Sequence, residues 1–244
     1  DGHSLLAMSA IPNCVSYDPC FAYELAVIVQ DGLRRMYQEG EQVFYYLTVM
    51  NENYAHPSMP KGSEEGIVRG MYRIRKAGKG GRIQLLGSGT ILRETLAAAE
   101  ILRQDFKVEA DVWSVTSFNE LRRDGIEMER WNMMHPDQPR RKSYVEIQLE
   151  STQGPVVAAS DYMRTVADQI RSYVPRAYSV LGTDGFGRSD CRSELRRFFE
   201  VDRNYITLAA LKALADEGEI PVKVVAEAIK KLGIDPEKPN PLTV

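Results

Sequence analysis

Residues 82–102 read RIQLLGSGTILRETLAAAEIL: an apolar run, two glycines one residue apart, then a helical pattern. Residues 82–87 have the apolar character of a strand buried on both faces. Behind Ser88 or Thr90, either of which can cap, Ile91, Leu92, Leu96, Ala99 and Leu102 recur at helical spacing through about residue 105. DVWSVTSF, residues 111–118, reads as the next strand. Strand, helix and strand in this order form a crossover with parallel strands, right-handed because only that hand packs the helix back onto a twisted sheet. The stretch therefore predicts an α/β fold with a mostly parallel sheet.

The same turn poses a functional question. A dinucleotide-binding turn needs G-x-G-x-x-G: one glycine for the tight turn, one for close approach of the pyrophosphate, one for helix–strand packing. Gly87 and Gly89 fit, but Leu92 stands third with a branched side chain, and Asp111 sits in a poor context for a ribose-binding acid. A tight βα turn is the reading favoured over a nicotinamide site.

Working outward, residues 18–39 read as a helix: Asp18 can cap it, Pro19 suits its first turn and Gly40 ends it. QVFYYLTVM, residues 42–50, is a strand, and NENYAHPSMPKGSEEG, residues 51–66, is a linker with a domain boundary near residue 60. A helix follows over residues 119–134, then short strands over 143–150 and 154–160. Ser160 caps a helix that stops before Pro175. A strand over 178–185 is followed by helices over 189–200, 204–217 and 221–232.

The chain has 244 residues, 43% hydrophobic and 27% charged, with a net charge of −3. That is an ordinary globular composition with no general pull toward nucleic acid. No apolar run approaches the ~18 residues of a membrane span, and the N-terminus has no signal-peptide pattern. It also lacks an initiator Met, so the chain reads as beginning mid-protein. Cys14, Cys20 and Cys191 are odd in number without metal spacing, which predicts a reducing, cytoplasmic setting.

Candidate chemistry is sparse. GTDGFGRSD, residues 182–190, follows a strand and precedes a helix capped by Ser189, so its amides are a candidate anion cradle. Gly78, Gly80 and Gly81 lack the ending of a phosphate loop. His56 and His135 precede prolines and read as linker and surface residues, with no metal-ligand spacing between any pair. His3 reads locally as a loop histidine.

Several long stretches carry a resemblance: IPNCVSYDPCFAYELAVIVQDGLRRMY, YYLTVMNENY, IQLLGSGTILRETLAAAEIL, DVWSVTSFNELRRDGIEMERWNM and VLGTDGFGRSDCRSELRRFFEVD. Together they resemble the C-terminal part of the homodimeric, bacterial-type pyruvate dehydrogenase decarboxylating component, of the transketolase-like, thiamine-diphosphate-dependent group. The resemblance spans essentially the whole chain. It implies that residues 1–60 end a pyrimidine-binding middle domain and residues 61–244 form a transketolase C-terminal-like domain, both α/β.

It also implies oxidative decarboxylation of pyruvate and acetyl transfer to the lipoyl domain of dihydrolipoyl acetyltransferase, by a subunit that pairs with a second copy. Asp1-Gly2-His3 matches a D-G-H stretch beside the thiazolium ring, which makes His3 the one catalytic candidate, bonding the pyruvate carboxylate or an enamine oxygen, or shuttling a proton. Thiamine diphosphate and Mg2+ are implied as cofactors, yet no G-D-G…N stretch is present: Thr183-Asp184-Gly185 has the wrong first residue. No cofactor-binding or metal residue is therefore assigned, and the chain alone is expected to be inactive. Where transketolases carry a phosphate-gripping Ser-Arg pair, this sequence has Met50-Asn51-Glu52, whose carboxylate is expected to repel a sugar phosphate. The alternatives are a related 2-oxo-acid dehydrogenase or transketolase, and a non-catalytic α/β interaction module.

Overall fold

In the computed structural model, residues 2–78 and 81–244 are described; Asp1 of the D-G-H stretch and Gly80 lie outside them. The chain opens with α1 (Ser4–Ser9) and β1 (Cys14–Tyr17), followed by α2 (Ala22–Leu33) with a π-helical turn at Arg34–Gln38, and β2 (Phe44–Leu47). Strands β1 and β2 pair in parallel, Cys14 opposite Phe44 through Tyr17 opposite Leu47. Helix α2 starts four residues after Asp18, because Glu24 supplies the cap instead. Its carboxylate accepts the backbone N–H groups of Cys20 at 2.6 Å and Phe21 at 2.9 Å, satisfying donors that the first helical turn leaves open.

The second sheet has five strands: β3 (Met71–Arg75) after the short helix α3 (Glu64–Arg69), β4 (Ile83–Gly87), β5 (Ala110–Val115), β6 (Val156–Ala159) and β7 (Tyr178–Leu181). Their spatial order is β3-β5-β4-β6-β7. Strands β5, β4, β6 and β7 run parallel, while β3 joins the edge antiparallel to β5. The mostly parallel α/β class is thus present, with one antiparallel edge that the sequence pattern did not reveal. Strand β3 carries arginines at Arg73 and Arg75 among apolar neighbours, a weak alternation that its pairing on one side explains.

Helices α4 (Ile91–Phe106), α5 (Phe118–Met134), α6 (Tyr144–Leu149), α7 (Arg164–Asp168), α8 (Arg192–Phe198), α9 (Arg203–Asp216) and α10 (Val222–Lys231) complete the chain. On one side of the sheet α4 and α9 bury Ile91, Leu92, Leu102, Ile206, Leu211 and Leu214, each contributing roughly 1.5–3 kcal/mol. On the other side α1, α5, α6 and α7 pack with Trp113, Val115 and Ile170.

Several expected elements differ. Residues 143–150 form helix α6, not a strand. Ser143 Oγ accepts the Glu146 N–H at 3.3 Å and Glu146 returns by accepting the Ser143 N–H at 2.8 Å. This reciprocal cap outweighs the alternation in SYVEIQLE. Ser160 does not cap a helix; α7 begins at Arg164, and only a short 3-10 turn covers Arg171–Tyr173. The last strand ends at Leu181, and α8 starts behind Cys191, not Ser189. No helix among the described residues is long and apolar enough to cross a membrane.

Candidate functional site

The C-terminal ends of parallel strands are where α/β folds gather ligands, and here they gather two glycine-bearing turns. The first is the turn after β4. Gly89 has φ +49, and a Cβ there would stand 2.5 Å from Asp18 Oδ1. The space a dinucleotide phosphate would enter is filled by the protein's own carboxylate. Gly87 is equally confined, since its Cβ would meet Leu92 Cα at 2.7 Å. Asp111, the candidate ribose acid, instead accepts the Ala77 N–H at 3.0 Å and the Gln84 side-chain amide at 3.2 Å.

Asp18 is buried. Ser88 Oγ donates to Oδ2 at 2.9 Å and Thr48 Oγ1 donates to Oδ1 at 2.7 Å. Burial raises its carboxyl to about 6, against the lowering effect of those two hydroxyls. Glu24 makes a second buried carboxylate: besides its helix-capping bonds it accepts Tyr72 Oη and Ser114 Oγ, each at 2.6 Å. Both acids belong to the segment bearing the two-stranded sheet, and both take hydroxyl donors from the five-stranded sheet or its turns.

The second turn lies largely at the surface over residues 185–191. With His3 and Asp161 it lines a cleft of about 460 Å³. His3 is exposed and precedes α1, its backbone carbonyl accepting the Leu6 and Ala7 N–H groups at 3.0 and 3.1 Å. Gly2 O accepts the Met163 N–H at 2.8 Å, fixing His3 from the N-terminal side. Thr183, Arg188 and the apolar Phe199 and Leu242 form other walls of the cleft. Arg188 lies 4.4 Å over the Phe198 ring and makes no ion pair with a carboxylate among the described residues. Asp161, which sequence reasoning missed, has its carboxyl raised by burial, with Arg196 and Arg192 opposing. An imidazole, a carboxylate and a guanidinium in one cleft can together hold a small anionic substrate and move a proton.

Thr183-Asp184-Gly185 does not offer a free carboxylate to a metal diphosphate. Asp184 of Thr183-Asp184-Gly185 accepts the Arg164 N–H at 3.2 Å and pairs with the Arg164 guanidinium at 3.4 Å. Among the described residues there is also no cluster of three or more His, Cys, Asp and Glu able to hold a metal. His56 accepts the Ala22 N–H at 3.1 Å beside Tyr54, and His135 stacks on Trp131 at 4.5 Å, so both have structural contacts.

Glu52 is engaged by neighbouring arginines. Its carboxylate lies 3.0 Å from Arg93, 3.4 Å from Arg196 and 3.9 Å from Arg192, and the Arg93 guanidinium leads the effects that hold it below the usual carboxylate range. Asn51 Oδ1 accepts from Arg192 at 2.6 Å. These guanidiniums offset the Glu52 charge, while Arg196 also faces Glu94 at 3.6 Å.

Comparison with known proteins places this arrangement. Residues 70–202 match a family model described as the transketolase-like TK C-terminal domain, and residues 1–57 match one described as the pyruvate dehydrogenase E1 component middle domain. Among solved structures, a transketolase from Leishmania mexicana aligns with a TM-score of 0.62 over 88% of this chain and 27% of its own, at 17% identity, a likeness of fold alone. Fold and family models define the class as transketolase-like α/β. Proteins named pyruvate dehydrogenase E1 component are 61% identical over 100% of this chain in Cupriavidus necator and 62% identical over 99% in Pseudomonas aeruginosa. The chain belongs to the pyruvate dehydrogenase E1 component family. It spans 28% of the length of those two relatives.

Proposed function

We propose that this chain forms part of a thiamine-diphosphate-dependent, pyruvate-decarboxylating subunit, in which His3 is a catalytic residue. The observation that carries the reading is the 61% identity over the full chain to a protein named pyruvate dehydrogenase E1 component. The cleft bearing His3, Asp161 and Arg188 supports it. On this reading residues 1 to about 60 end the middle domain and residues 61–244 are the C-terminal domain, consistent with separate family models over 1–57 and 70–202.

The thiamine ring and its magnesium diphosphate belong to parts of the subunit beyond this chain, because Asp184 is already engaged by Arg164. His3 offers an imidazole nitrogen that holds the 2-oxo-acid carboxylate or carries a proton, and Arg188 adds a cation on the same cleft. The product acyl group passes to the lipoyl domain of dihydrolipoyl acetyltransferase, and a second copy of the subunit completes a cytoplasmic homodimer.

In the full-length enzyme, His3→Ala is expected to lower pyruvate turnover about 100-fold, within the range for loss of a general acid–base group, with thiamine diphosphate affinity little changed. Steady-state kinetics beside a cofactor titration measure both, and unchanged turnover rejects the role. The 244-residue chain alone is expected to show no pyruvate turnover.

A further inference from the structure

Arg188 lines the cleft with His3, and among the described residues it has no counter-charge. Its guanidinium lies 4.4 Å over the Phe198 ring and makes no hydrogen bond among those residues. The aspartates on either side of it in the chain are engaged elsewhere. Asp184 binds Arg164, and Asp190 Oδ1 accepts the Cys191 N–H at 2.7 Å. Asp161 shares the cleft from the turn after β6 and does not pair with Arg188. A guanidinium resting on a ring keeps its N–H donors in a planar fork that matches a carboxylate.

The ring under Arg188 is itself held by a segment distant in sequence. The Lys238 ammonium lies 5.2 Å from the centroid of the Phe198 ring, and it donates to Phe198 O at 2.7 Å and to Glu200 at 3.0 Å. Arg197, beside Phe198 in α8, donates to Gly233 O at 3.2 Å. Further along, Asn240 Oδ1 accepts the Leu242 N–H at 3.0 Å and caps a 3-10 turn over Pro241–Thr243. That turn meets the loop of Arg188 directly. Gly185 has φ +112, and a Cβ there would stand 2.3 Å from Pro241 O, so the close approach needs a glycine. Leu242 then reaches the cleft itself. Residues 238–242 thus hold the Arg188 loop at two points, the Phe198 ring and Gly185.

We propose that Arg188 binds the carboxylate of the 2-oxo acid, and that residues 238–242 are its positioning segment, acting through the Phe198 ring and Gly185. The inference deepens the catalytic reading of the cleft given above and rests on it. With the carboxylate on Arg188, the His3 imidazole is left to carry the proton, so the two residues act on different kinetic constants.

The test is a double-mutant cycle in the full-length enzyme: wild type, Arg188→Gln, Lys238→Met and the double variant, each assayed for kcat and KM toward pyruvate and for thermal unfolding. Arg188→Gln is expected to raise KM about 30-fold, the size of a lost hydrogen bond between charged groups, with kcat within about threefold. Lys238→Met is expected to raise KM about fivefold alone and less than about 1.5-fold in the Arg188→Gln background, as residues in one network do. An unchanged KM in Arg188→Gln, or a loss confined to kcat, overturns the carboxylate assignment while leaving His3 catalytic. No rise from Lys238→Met, or an equal rise in both backgrounds, overturns the positioning role. Wild-type turnover in His3→Ala removes the catalytic reading and this inference with it. Should Lys238→Met fail to fold, Phe198→Leu removes the shared ring and carries the same cycle, with the same outcomes deciding.

Discussion

Two glycine-bearing turns follow parallel strands in this protein, and they have opposite fates. Gly87-Ser88-Gly89 is buried, and its concavity is filled by Asp18 from another sheet. Gly185 to Arg188 lies at the surface and lines a cleft with His3. Both carry the conformational freedom that anion-binding turns use. The difference lies in what the rest of the chain puts opposite each turn. A glycine pattern marks where backbone can be approached closely, and tertiary structure decides whether a ligand or the protein itself approaches.

Gly89→Ala is the harshest way to probe that contrast. The added Cβ meets the Asp18 carboxylate at a residue with φ +49, so a loss of about 4 kcal/mol is expected from combined overpacking and backbone strain. Urea unfolding of the full-length enzyme measures it; an unchanged midpoint would mean the turn can back away from Asp18 and is not packed shut.

The filled turn should also carry a pH signature. Asp18 is raised to about 6 by burial, above the ordinary unfolded value of about 3.9, so the folded state holds its proton more tightly. Its contribution to stability is fully present below about pH 4 and is lost as pH rises through about 6, a change of about 3 kcal/mol. Thermal unfolding from pH 4 to 7 should show this slope in wild type and lack it in Asp18→Asn, and identical slopes would place the Asp18 titration elsewhere. The amide variant is accordingly expected to be no less stable than wild type at pH 7.

The smallest effect belongs to the open turn. A Cβ at Gly187 meets nothing within 4 Å, so Gly187→Ala is expected to change stability by less than about 0.5 kcal/mol. A larger loss would show that this loop, too, is held shut by contacts of its own.

Legibility followed the range of the forces involved. The β4-α4-β5 crossover was readable because apolar periodicity is written within about thirty residues. Leu92 in place of a third glycine disfavours a dinucleotide, but that Asp18 occupies the turn was not visible in the sequence. Helix α6 was misread as a strand even though Ser143 and Glu146 spell a capping box; that local signal deserved more weight than six residues of alternation. Strand β3 was missed because five residues with two arginines carry little pattern until β5 pairs with them. Asp18 read as a cap because aspartate before a helix usually is one. Its actual partners, Thr48 and Ser88, lie 30 and 70 residues away.

His3 is a candidate only through resemblance, since no local pattern distinguishes it from a loop histidine. Asp161 and Arg188 were not singled out at all, because their meaning comes from sharing a cleft with His3. The sequence showed the charge of Glu52 but not its ion pairs with three arginines from α4 and α8.

Taken alone, the sequence determined the α/β class, most of the helices and the family likeness, because periodicity, caps and long matching stretches are properties of contiguous residues. Tertiary structure decided which turn is closed, which carboxylates are buried and which side chains share the cleft. Those outcomes depend on contacts between distant segments, where burial and hydrogen bonding are set by whatever group the fold brings alongside.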